Sequence, residues 1–353
     1  MNKKLLIIGF VSPEPKSSAA GSRMMHLIAL FQSKNYDIIF ATACAKSDNA
    51  FDLKSIGVTI ETIQLNAPSF DVFLKSICPD VVLFDRFMIE EQFGWRVAQH
   101  CPDALRLLDT EDLHCLRKGR KQALDDQSVF DTNYLYNDVA KREIASIYRC
   151  DLSLIISEVE IDILKHQFHV NEHLLCYLPF LLNAISLKEH KALPGFKQRE
   201  HFITVGNFLH APNVDGVKYL KTSIWPAIRK KLPKAEMHVY GAYESSKLSQ
   251  LNDKSQGFFI KGFVEDINAV MQEHKVCLVP LRYGAGLKGK LVDAMLNGIP
   301  CVTTSIGAEG MYGALEPNGF IEDDPMVFAN MAIELYTNKI FSDRKTKAWH
   351  PSD

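Results

Sequence analysis

Residues 279–295 read VPLRYGAGLKGKLVDAM and lead into the turn Asn297-Gly298-Ile299-Pro300. The apolar run that ends at Val279 predicts a strand, and the apolar spacing from Gly289 to Asn297 predicts a helix. The intervening glycines lack side chains, so their backbone amides can approach an anion closely. The start of the helix adds the positive end of its dipole. This strand, glycine loop and helix predict a diphosphate site in an α/β fold.

Lys290 and Asp293 lie three residues apart on the predicted helix and therefore share a face. The lysine can balance phosphate charge in place of a metal ion, and the carboxylate can accept hydrogen bonds from ribose hydroxyls. We therefore expect no metal and no cofactor. Spacing alone fits equally well with an exposed ion pair, worth about 0.2–0.5 kcal/mol.

The same alternation of strands and helices extends outward from this stretch. Lys4 to Phe10 predicts a buried strand, a loop follows, and Ser22 to Lys34 predicts an amphipathic helix. Such alternation predicts parallel sheets covered on both faces. Periodicity is lost before His201 and then restarts. We expect a first domain over 1–185, a linker over 186–200, a second domain over 201–340, and a polar tail over 341–353.

Composition excludes several classes of protein. Of the 353 residues 47% are hydrophobic and 23% charged, and the net charge is −2, so no basic footprint for nucleic acid is present. The eight cysteines form no CxxC pair, which favours reduced thiols in the cytoplasm. The first apolar run breaks at Gly9, and no segment approaches the roughly 18 apolar residues that cross a bilayer. We expect at most peripheral contact with the inner membrane face.

Several separated motifs resemble one enzyme family. In the second half they are Val205-Gly206-Asn207-Phe208, Pro212-Asn213, Ile224-Trp225-Pro226, residues 284–290 and Gly298-Ile299-Pro300. Their order and spacing resemble the retaining glycosyltransferases of family 4, also called glycosyl transferases group 1, over most of residues 201–311. The first half resembles the same family less strongly. The resemblance implies an α/β fold of the GT-B type, with two Rossmann-like domains facing each other across a cleft.

The resemblance also implies a reaction and its residues. A sugar would pass from a nucleoside diphosphate sugar to a hydroxyl of a glycan, lipid-linked or other acceptor with retention, in polysaccharide or glycan assembly. The implied donor-binding residues are Gly206, Asn207, Arg282, Gly284, Gly286, Leu287, Lys288, Lys290, Asp293, Glu309 and Gly310. The acceptor-side residues are Gly21 and Arg23, and the catalytic candidates are Glu111, Asp112 and His114.

Simpler interpretations stand beside three of these assignments. Arg23 fits equally well as a solvated helix residue, Asp112 as a helix cap with His114 on the surface, and Glu309 as the cap of a turn.

Two features depart from the family pattern. The family commonly carries a Glu-x7-Glu motif, whose positions fall here on Ala285 and Asp293. The family also usually closes with a helix that crosses back to the first domain, whereas residues 345–353 are polar and without pattern. Two alternatives therefore stay open: a sugar-nucleotide 2-epimerase of the same architecture, and a degenerate protein that binds nucleotide sugar without turnover.

Overall fold

The computed structural model describes residues 2–347, with side chains described to residue 346. The chain forms two compact units. The first contains the residues up to Pro15, Ala20–Leu182 and the short segment Ala285–Leu287. The second contains Lys16–Ala19, Asn183–Gly284 and the residues from Lys288 onward. Each unit is therefore described by itself below.

The first unit is built on a seven-stranded sheet in the order β3-β2-β1-β4-β5-β6-β7, with every neighbouring pair parallel. Its strands are β1 (Lys4–Gly9), β2 (Asp37–Thr42), β3 (Thr59–Thr62), β4 (Val81–Asp85), β5 (Leu105–Asp109), β6 (Leu152–Ile155) and β7 (Leu175–Tyr177). The helices of this half are α1 (Ala19–Ser33), α2 (Pro68–Ile77), α3 (Phe87–His100), α4 (His114–Asp125), α5 (Asp138–Arg149) and α6 (Glu158–His166). Single 3-10 turns lie at Leu53–Ile56, Thr132–Leu135 and Glu172–Leu174.

Strand β1 shows why its apolar run forms the centre of this sheet. Leu6 and Ile8 pack into the core on one face, and Leu5 and Ile7 pack into a second core on the other. All four side chains are 0% exposed. A strand covered on both faces needs apolar residues at every position, since successive side chains point to opposite faces.

The second unit is built on a six-stranded parallel sheet in the order β10-β9-β8-β11-β12-β13. Its strands are β8 (Glu200–Val205), β9 (Met237–Tyr240), β10 (Phe258–Gly262), β11 (His274–Val279), β12 (Cys301–Thr303) and β13 (Gly319–Ile321). Its helices are α7 (Leu187–Ala192), α8 (Ala211–Tyr219), α9 (Trp225–Lys231), α10 (Ser246–Ser249), α11 (Ile267–Glu273), α12 (Gly289–Leu296), α13 (Ser305–Ala308), α14 (Pro325–Thr337) and α15 (Lys339–Lys347). Short 3-10 turns lie at Phe196–Gln198 and Lys254–Gln256.

A π-helical turn, Leu220–Ile224, separates α8 from α9. Pro226 follows it in the first turn of α9. Proline has no backbone N–H and its ring crowds the preceding turn, so the helix widens locally rather than continuing in regular α geometry.

Three other segments form helices of their own. The polar stretch 112–150 contains α4 and α5, and α5 starts as a new helix because the Asn137 side chain accepts from the amides of Val139 and Ala140. The expected linker contains α7, whose first turn is closed by a Ser186–Glu189 capping box. The expected polar tail begins as helix α15, since Asn338 accepts from the amides of Ile340 and Phe341. The part of the tail beyond residue 347 lies outside the described residues.

Within the described part of the chain, no helix combines the length and apolar character needed to cross a membrane.

Candidate functional site

Strand order marks one place in each sheet where a ligand is expected. In open α/β sheets ligands bind outside the carboxyl ends of the strands, at the point where the strand order reverses. That point lies between β8 and β11 in the second unit and between β1 and β4 in the first. The residues that follow β8 are Gly206 and Asn207, and the glycine-rich segment follows β11.

Asn213 joins these two loops in the second unit. Its Nδ2 donates to the Asn207 carbonyl at 2.8 Å, and its Oδ1 accepts from Lys290 Nζ at 2.8 Å. A Cβ added to Gly206 would lie 2.7 Å from the Asn213 amide, so glycine is needed for this close packing. Asn213 therefore fixes the position of the lysine relative to Gly206 and Asn207.

Lys290 and Asp293 lie at the start and in the middle of α12, and both are half-buried. Burial lowers the pKa of Lys290 to about 8, with the Lys288 charge adding to the effect. Burial raises the pKa of Asp293 to about 6, against the opposing effect of Lys290. Among the described residues Lys290 donates to Asn213 and forms no ion pair with Asp293. The exposed ion-pair interpretation is therefore wrong, because both groups are withdrawn from water without being paired.

The Arg282 guanidinium forms an ion pair with a carboxylate of the same unit. Its Nε donates to Asp215 Oδ2 at 2.9 Å, its second nitrogen bonds the other carboxylate oxygen, and its guanidinium lies 5.0 Å from the centre of the Tyr219 ring. Its partner Asp215 raises the pKa of Arg282. To contact the nucleotide-sugar donor as expected, Arg282 would have to bind it while remaining paired with Asp215.

The glycine-rich segment differs from a uniform anion cradle. A Cβ on Gly284 would make ordinary van der Waals contacts, the nearest with Lys288 at 3.7 Å, whereas a Cβ on Gly289 would lie 2.8 Å from Ala19. The Lys288 amide donates to Met311 Sδ at 3.1 Å, and Lys288 is only 7% exposed. A side chain would therefore fit at Gly284 but not at Gly289.

Gly286 and Leu287 lie in the segment that belongs to the first unit. The Gly286 amide donates to Glu160 Oε1 at 2.8 Å, and Gly286 has a φ of +65°, which favours glycine. Leu287 is half-buried. The amide of Gly286 thus donates to a carboxylate of the protein itself, and its contact with the donor stays a prediction.

Glu309 and Gly310 directly follow α13, after strand β12. Thr304 caps that helix through the Gly307 amide and donates its hydroxyl proton to the Leu281 carbonyl at 2.5 Å. Gly310 adopts a φ of +73°. Thr304 thus caps the start of α13, and Glu309 is the half-buried residue at its other end.

The carboxyl edge of the first sheet is rich in acids. Asp85 ends β4, Asp109 ends β5, and Glu111 and Asp112 follow. Arg86 lies beside Asp85, with 3.7 Å between Arg86 Nε and Asp85 Oδ1, and its amide donates to the Asp109 carbonyl. This edge gathers several ionisable groups where strands β4 and β5 end side by side.

Arg23 is an internal counterion of this edge rather than a solvated helix residue. Its side chain is 2% exposed and donates to Asp109 from Nε at 3.0 Å and from a terminal nitrogen at 2.8 Å. The other terminal nitrogen donates to the Leu178 carbonyl at 2.6 Å. Gly21, two residues earlier in the chain, lets the loop before α1 pack closely against the helix, because a Cβ there would lie 2.4 Å from the Glu14 backbone.

Glu111 has two unusual properties. Its φ of +63° lies in the left-handed region, and the neighbouring strand end carries a similar residue, Arg86, at +74°. Non-glycine residues held there cost on the order of 1–3 kcal/mol and cluster at functional sites. Burial, reinforced by the Asp109 charge and opposed by Arg86, raises the pKa of Glu111 well above its usual range. Glu111 thus combines a strained backbone with surroundings that disfavour its ionised form.

Asp112 and His114 belong to a network that also contains Glu143. Asp112 pairs with Arg117, and His114 Nδ1 lies 3.3 Å from both Asp112 Oδ1 and Glu143 Oε1. The first amides of α4, at His114 and Cys115, donate to the two Glu143 oxygens at 2.7 Å. The capping interpretation of Asp112 is therefore wrong, because Glu143 satisfies those amides; His114 is half-buried, not a surface residue.

Residues 199–338 match the family described as Glycosyl transferases group 1. The match covers less than half of the chain. It coincides with the second sheet and its helices, from β8 to α14.

Solved glycosyltransferase structures share the fold of the whole chain. A TarM variant from S. aureus, solved with fondaparinux, alpha-GlcNAc-glycerol and UDP, is 10% identical with a TM-score of 0.72, covering 99% of this chain and 96% of that one. HepE from Anabaena, solved with UDP and glucose, is 13% identical with a TM-score of 0.71, covering 98% and 93%. The GT-B fold, with two parallel α/β sheets, is therefore confirmed for the chain that carries this glycosyltransferase domain.

One curated relative also matches. It is an uncharacterized 44.6 kDa protein in the cps region of Klebsiella pneumoniae, 24% identical over 226 residues. The match covers 61% of this chain, and it spans only about half, 55%, of that relative's length.

Sequence reasoning missed four residues that organise the two edges. Asn213 stood in a quoted motif of the glycosyltransferase domain but was not assigned to the site. Asp85 and Arg86 end a strand, and this position alone could have indicated them. Glu143 gave no local signal, because it reaches the site from the interior of α5.

Proposed function

We propose that this chain transfers a sugar from a nucleoside diphosphate sugar to a hydroxyl acceptor with retention, as a step in polysaccharide or glycan assembly. The glycosyltransferase domain supports the reaction class. The solved relatives with UDP support a diphosphate donor, and the relative from a cps region supports a polysaccharide context.

The environment of Lys290 carries the proposal. Lys290 is half-buried, donates to the Asn213 amide and forms no ion pair with a carboxylate among the described residues. A buried cation without an anion is costly, and a diphosphate would supply the missing charge. The amides at the start of α12 would provide further favourable contacts for a phosphate group. Gly284 has no side chain that would crowd it. Lys290 would then stabilise the charge that develops on the leaving diphosphate.

The proposed donor set also includes Asp293 and the loops around it. Asp293, on the same helix as Lys290, would accept from ribose hydroxyls once its proton is lost near its pKa of about 6. Gly206, Asn207, Glu309 and Gly310 stand at the ends of neighbouring strands, where the nucleotide or sugar would contact them. A donor held in this way needs no metal ion.

In the first unit we propose Glu111, Asp112 and His114 as the groups nearest the reacting sugar, and Gly21 and Arg23 as their support. Glu111, whose pKa is raised, would act as an acid that donates a hydrogen bond. The Asp112 carboxylate would stabilise the positive charge that develops on a sugar ring. The buried Arg23–Asp109 pair holds the strand end that carries both residues.

Donor binding by a panel of UDP-, GDP-, ADP- and dTDP-sugars, measured by calorimetry on the full chain, tests the proposal. We expect one donor class to bind, and Lys290→Met to weaken it about 10–100-fold, because a charged hydrogen bond contributes about 1.5–3 kcal/mol. Lys230→Met removes an exposed lysine of the same unit and should leave affinity unchanged.

Product analysis separates the competing activities. Transfer to an added glycan acceptor, with the anomeric configuration kept, would support the proposal. Conversion of the donor to an epimer without acceptor would instead identify an epimerase. Equal affinity of wild type and Lys290→Met would remove Lys290 from the site, and failure to bind any donor would contradict the proposed function.

A further inference from the structure

A second cluster of ionisable side chains lies at the opposite, amino-terminal edge of the second sheet. His201 lies near the start of β8, Glu236 immediately precedes β9, His238 is in β9, and His274 begins β11. The glycine-rich segment follows the other end of β11. The cluster is therefore separate from the proposed donor site, although both lie on the same sheet.

The hydrogen bonds in this cluster require more protons than the neutral side chains hold. His274 Nδ1 lies 2.7 Å from the Val270 carbonyl, which can only accept, so this nitrogen carries a proton. His274 Nε2 must then accept from His238 Nδ1, 2.8 Å away. Both protons of the two neutral rings are now used. His238 Nε2 nevertheless faces Glu236 Oε2 at 2.8 Å, which leaves a lone pair against a carboxylate.

A cation between His238 and Glu236 resolves this conflict. A proton would bridge only His238 Nε2 and Glu236 Oε2, 2.8 Å apart, whereas a third donor atom lies beside them. His201 Nε2 lies 3.8 Å from the same Glu236 oxygen.

We propose that His201, Glu236 and His238 form a binding site for one divalent transition metal ion of the Zn²⁺ class. The three ligand atoms lie within 4.8 Å of one another. A tetrahedral zinc ion with bonds of about 2.0–2.2 Å places its ligand atoms about 3.4 Å apart, so small side-chain movements close the site. Two imidazoles and one carboxylate are a ligand set that zinc accepts, with water in the fourth position.

The surroundings already contain the support that metal-bound histidines need. With a metal at Nε2, His238 donates from Nδ1 to His274, and His274 donates to Val270, which fixes the tautomer and orientation of the ligand. His201 must release the weak 3.3 Å bond that its Nδ1 accepts from the Glu236 amide. The positive charge of Lys261 acts on the cluster and would repel a bound metal ion.

The site is open to a metal from solution. The side chain of His201 is 27% exposed and that of Glu236 35%, whereas His238 lies deeper at 10%. The ion would tie the start of β8 to the start of β9. We therefore infer a stabilising role for it, independent of sugar transfer and compatible with a donor site that uses no metal.

Zn²⁺ binding by the reduced full-length protein tests this site, with equilibrium dialysis and the thermal midpoint Tm as the two readouts. We expect wild type to bind one Zn²⁺ more than His201→Gln, Glu236→Gln or His238→Gln, and to show a Tm that rises with Zn²⁺. Each variant should bind at least about tenfold more weakly. His173→Gln removes an exposed histidine outside the cluster and should behave as wild type.

The variants separate metal binding from folding and from binding to cysteine. His201→Gln loses one long hydrogen bond and a ring contact with His238, both made by a partly exposed side chain, so it should nearly keep the wild-type Tm without metal and lose the Zn²⁺-dependent rise. The exposed thiols of Cys44 and Cys78 are present in every variant, so their uptake cancels in the comparison. Equal Zn²⁺ uptake and equal Tm shifts in wild type and His201→Gln would overturn the proposal, as would no uptake by wild type at 100 µM Zn²⁺.

Discussion

The carboxyl edges of the two sheets have opposite chemistry on the same type of scaffold. The first edge gathers Asp85, Asp109, Glu111 and Asp112 around arginines, whereas the second presents a glycine-rich segment and Lys290. At the first edge the main cation is already paired, through Arg23 and Asp109. At the second edge Lys290 is bonded only to the neutral Asn213 amide among the described side chains.

This difference teaches which edge awaits a charged ligand. A buried pair that satisfies itself stabilises the protein's own architecture, whereas a buried cation without an anion stores an unfavourable charge that a ligand can neutralise. We therefore propose that the diphosphate binds at the second edge. At the first edge the buried Arg23–Asp109 pair supports the turn that carries Glu111. The following predictions test that contrast.

Breaking the buried pair at the first edge should have the largest effect. Arg23→Met leaves Asp109, which is 0% exposed, without its counterion, and we expect a loss of about 3–5 kcal/mol in the free energy of unfolding. The matched change Arg282→Met breaks a more exposed pair with Asp215, with side chains 37% and 19% exposed, and should cost about 0–1 kcal/mol. Urea unfolding of both variants measures the difference, and equal losses would refute the contrast between the two pairs.

Two glycines provide a steric version of the same comparison. Gly21→Ala places a Cβ 2.4 Å from the backbone of Glu14, which cannot move aside as a flexible side chain would, and should destabilise the fold by about 1–3 kcal/mol. Gly284→Ala places a Cβ 3.7 Å from Lys288 and should change stability by less than about 0.5 kcal/mol. Thermal unfolding compares the two variants. If Gly284→Ala were the more destabilising, the inference that a side chain fits at Gly284 would be disproved.

Lys290→Met should make the protein more stable while weakening donor binding. The buried lysine has a pKa of about 8, against 10.5 for an exposed lysine, so its ammonium form costs free energy near neutral pH. We expect the methionine variant to be about 1–2 kcal/mol more stable at pH 7. The contribution of Lys290 to stability is present above pH 10.5 and is lost as the pH falls through about 8.

The pH dependence of this effect provides its own control. Wild-type stability should therefore approach that of the Lys290→Met variant as the pH rises from about 8 to 10.5, while donor affinity of the wild type falls over the same range. Unfolding measurements and donor calorimetry at matched pH values follow both quantities. A methionine variant that is less stable than wild type at pH 7 would show that Lys290 is not an uncompensated charge.

Much of the fold could be predicted because its signals are local. The continuous apolar residues of β1 and the glycine loop before α12 show their structure within about ten residues of sequence. The segment with β13 and α14 was not predicted, since β13 has only three residues and gives no periodicity to detect. Pattern alone cannot find a strand of that length.

The candidate site could be predicted only in part, because its decisive contacts join distant residues. Lys290 and Asp293 stood out from helix spacing, but the bond from Lys290 to Asn213 joins residues 77 positions apart. Arg23 and Asp109 are 86 positions apart, so a helix pattern could not reveal that the arginine is a buried counterion. Burial, which sets the charge state of each of these groups, exists only once the loops have met.

The smallest change in the free energy of unfolding is expected for a substitution at Glu111. Its pKa is raised well above the usual range by burial and by the Asp109 charge, so its surroundings favour the uncharged form, which an amide resembles in shape and charge. Glu111→Gln should therefore change the free energy of unfolding at pH 7 by less than about 0.5 kcal/mol. Asp112→Asn, which weakens the pair with Arg117, should cost more.

The sign of the pH dependence makes this prediction sharper. Because the folded pKa of Glu111 is raised, its contribution to stability is complete below about pH 4.5 and is lost as the pH rises through the folded value, so the glutamine variant should gain on wild type toward alkaline pH. Urea unfolding from pH 6 to 9 follows this gain. A large loss of stability in Glu111→Gln at pH 7 would mean that the carboxyl is ionised and pairs with Arg86. The acidic edge would then resemble the basic one in depending on charge rather than on a retained proton.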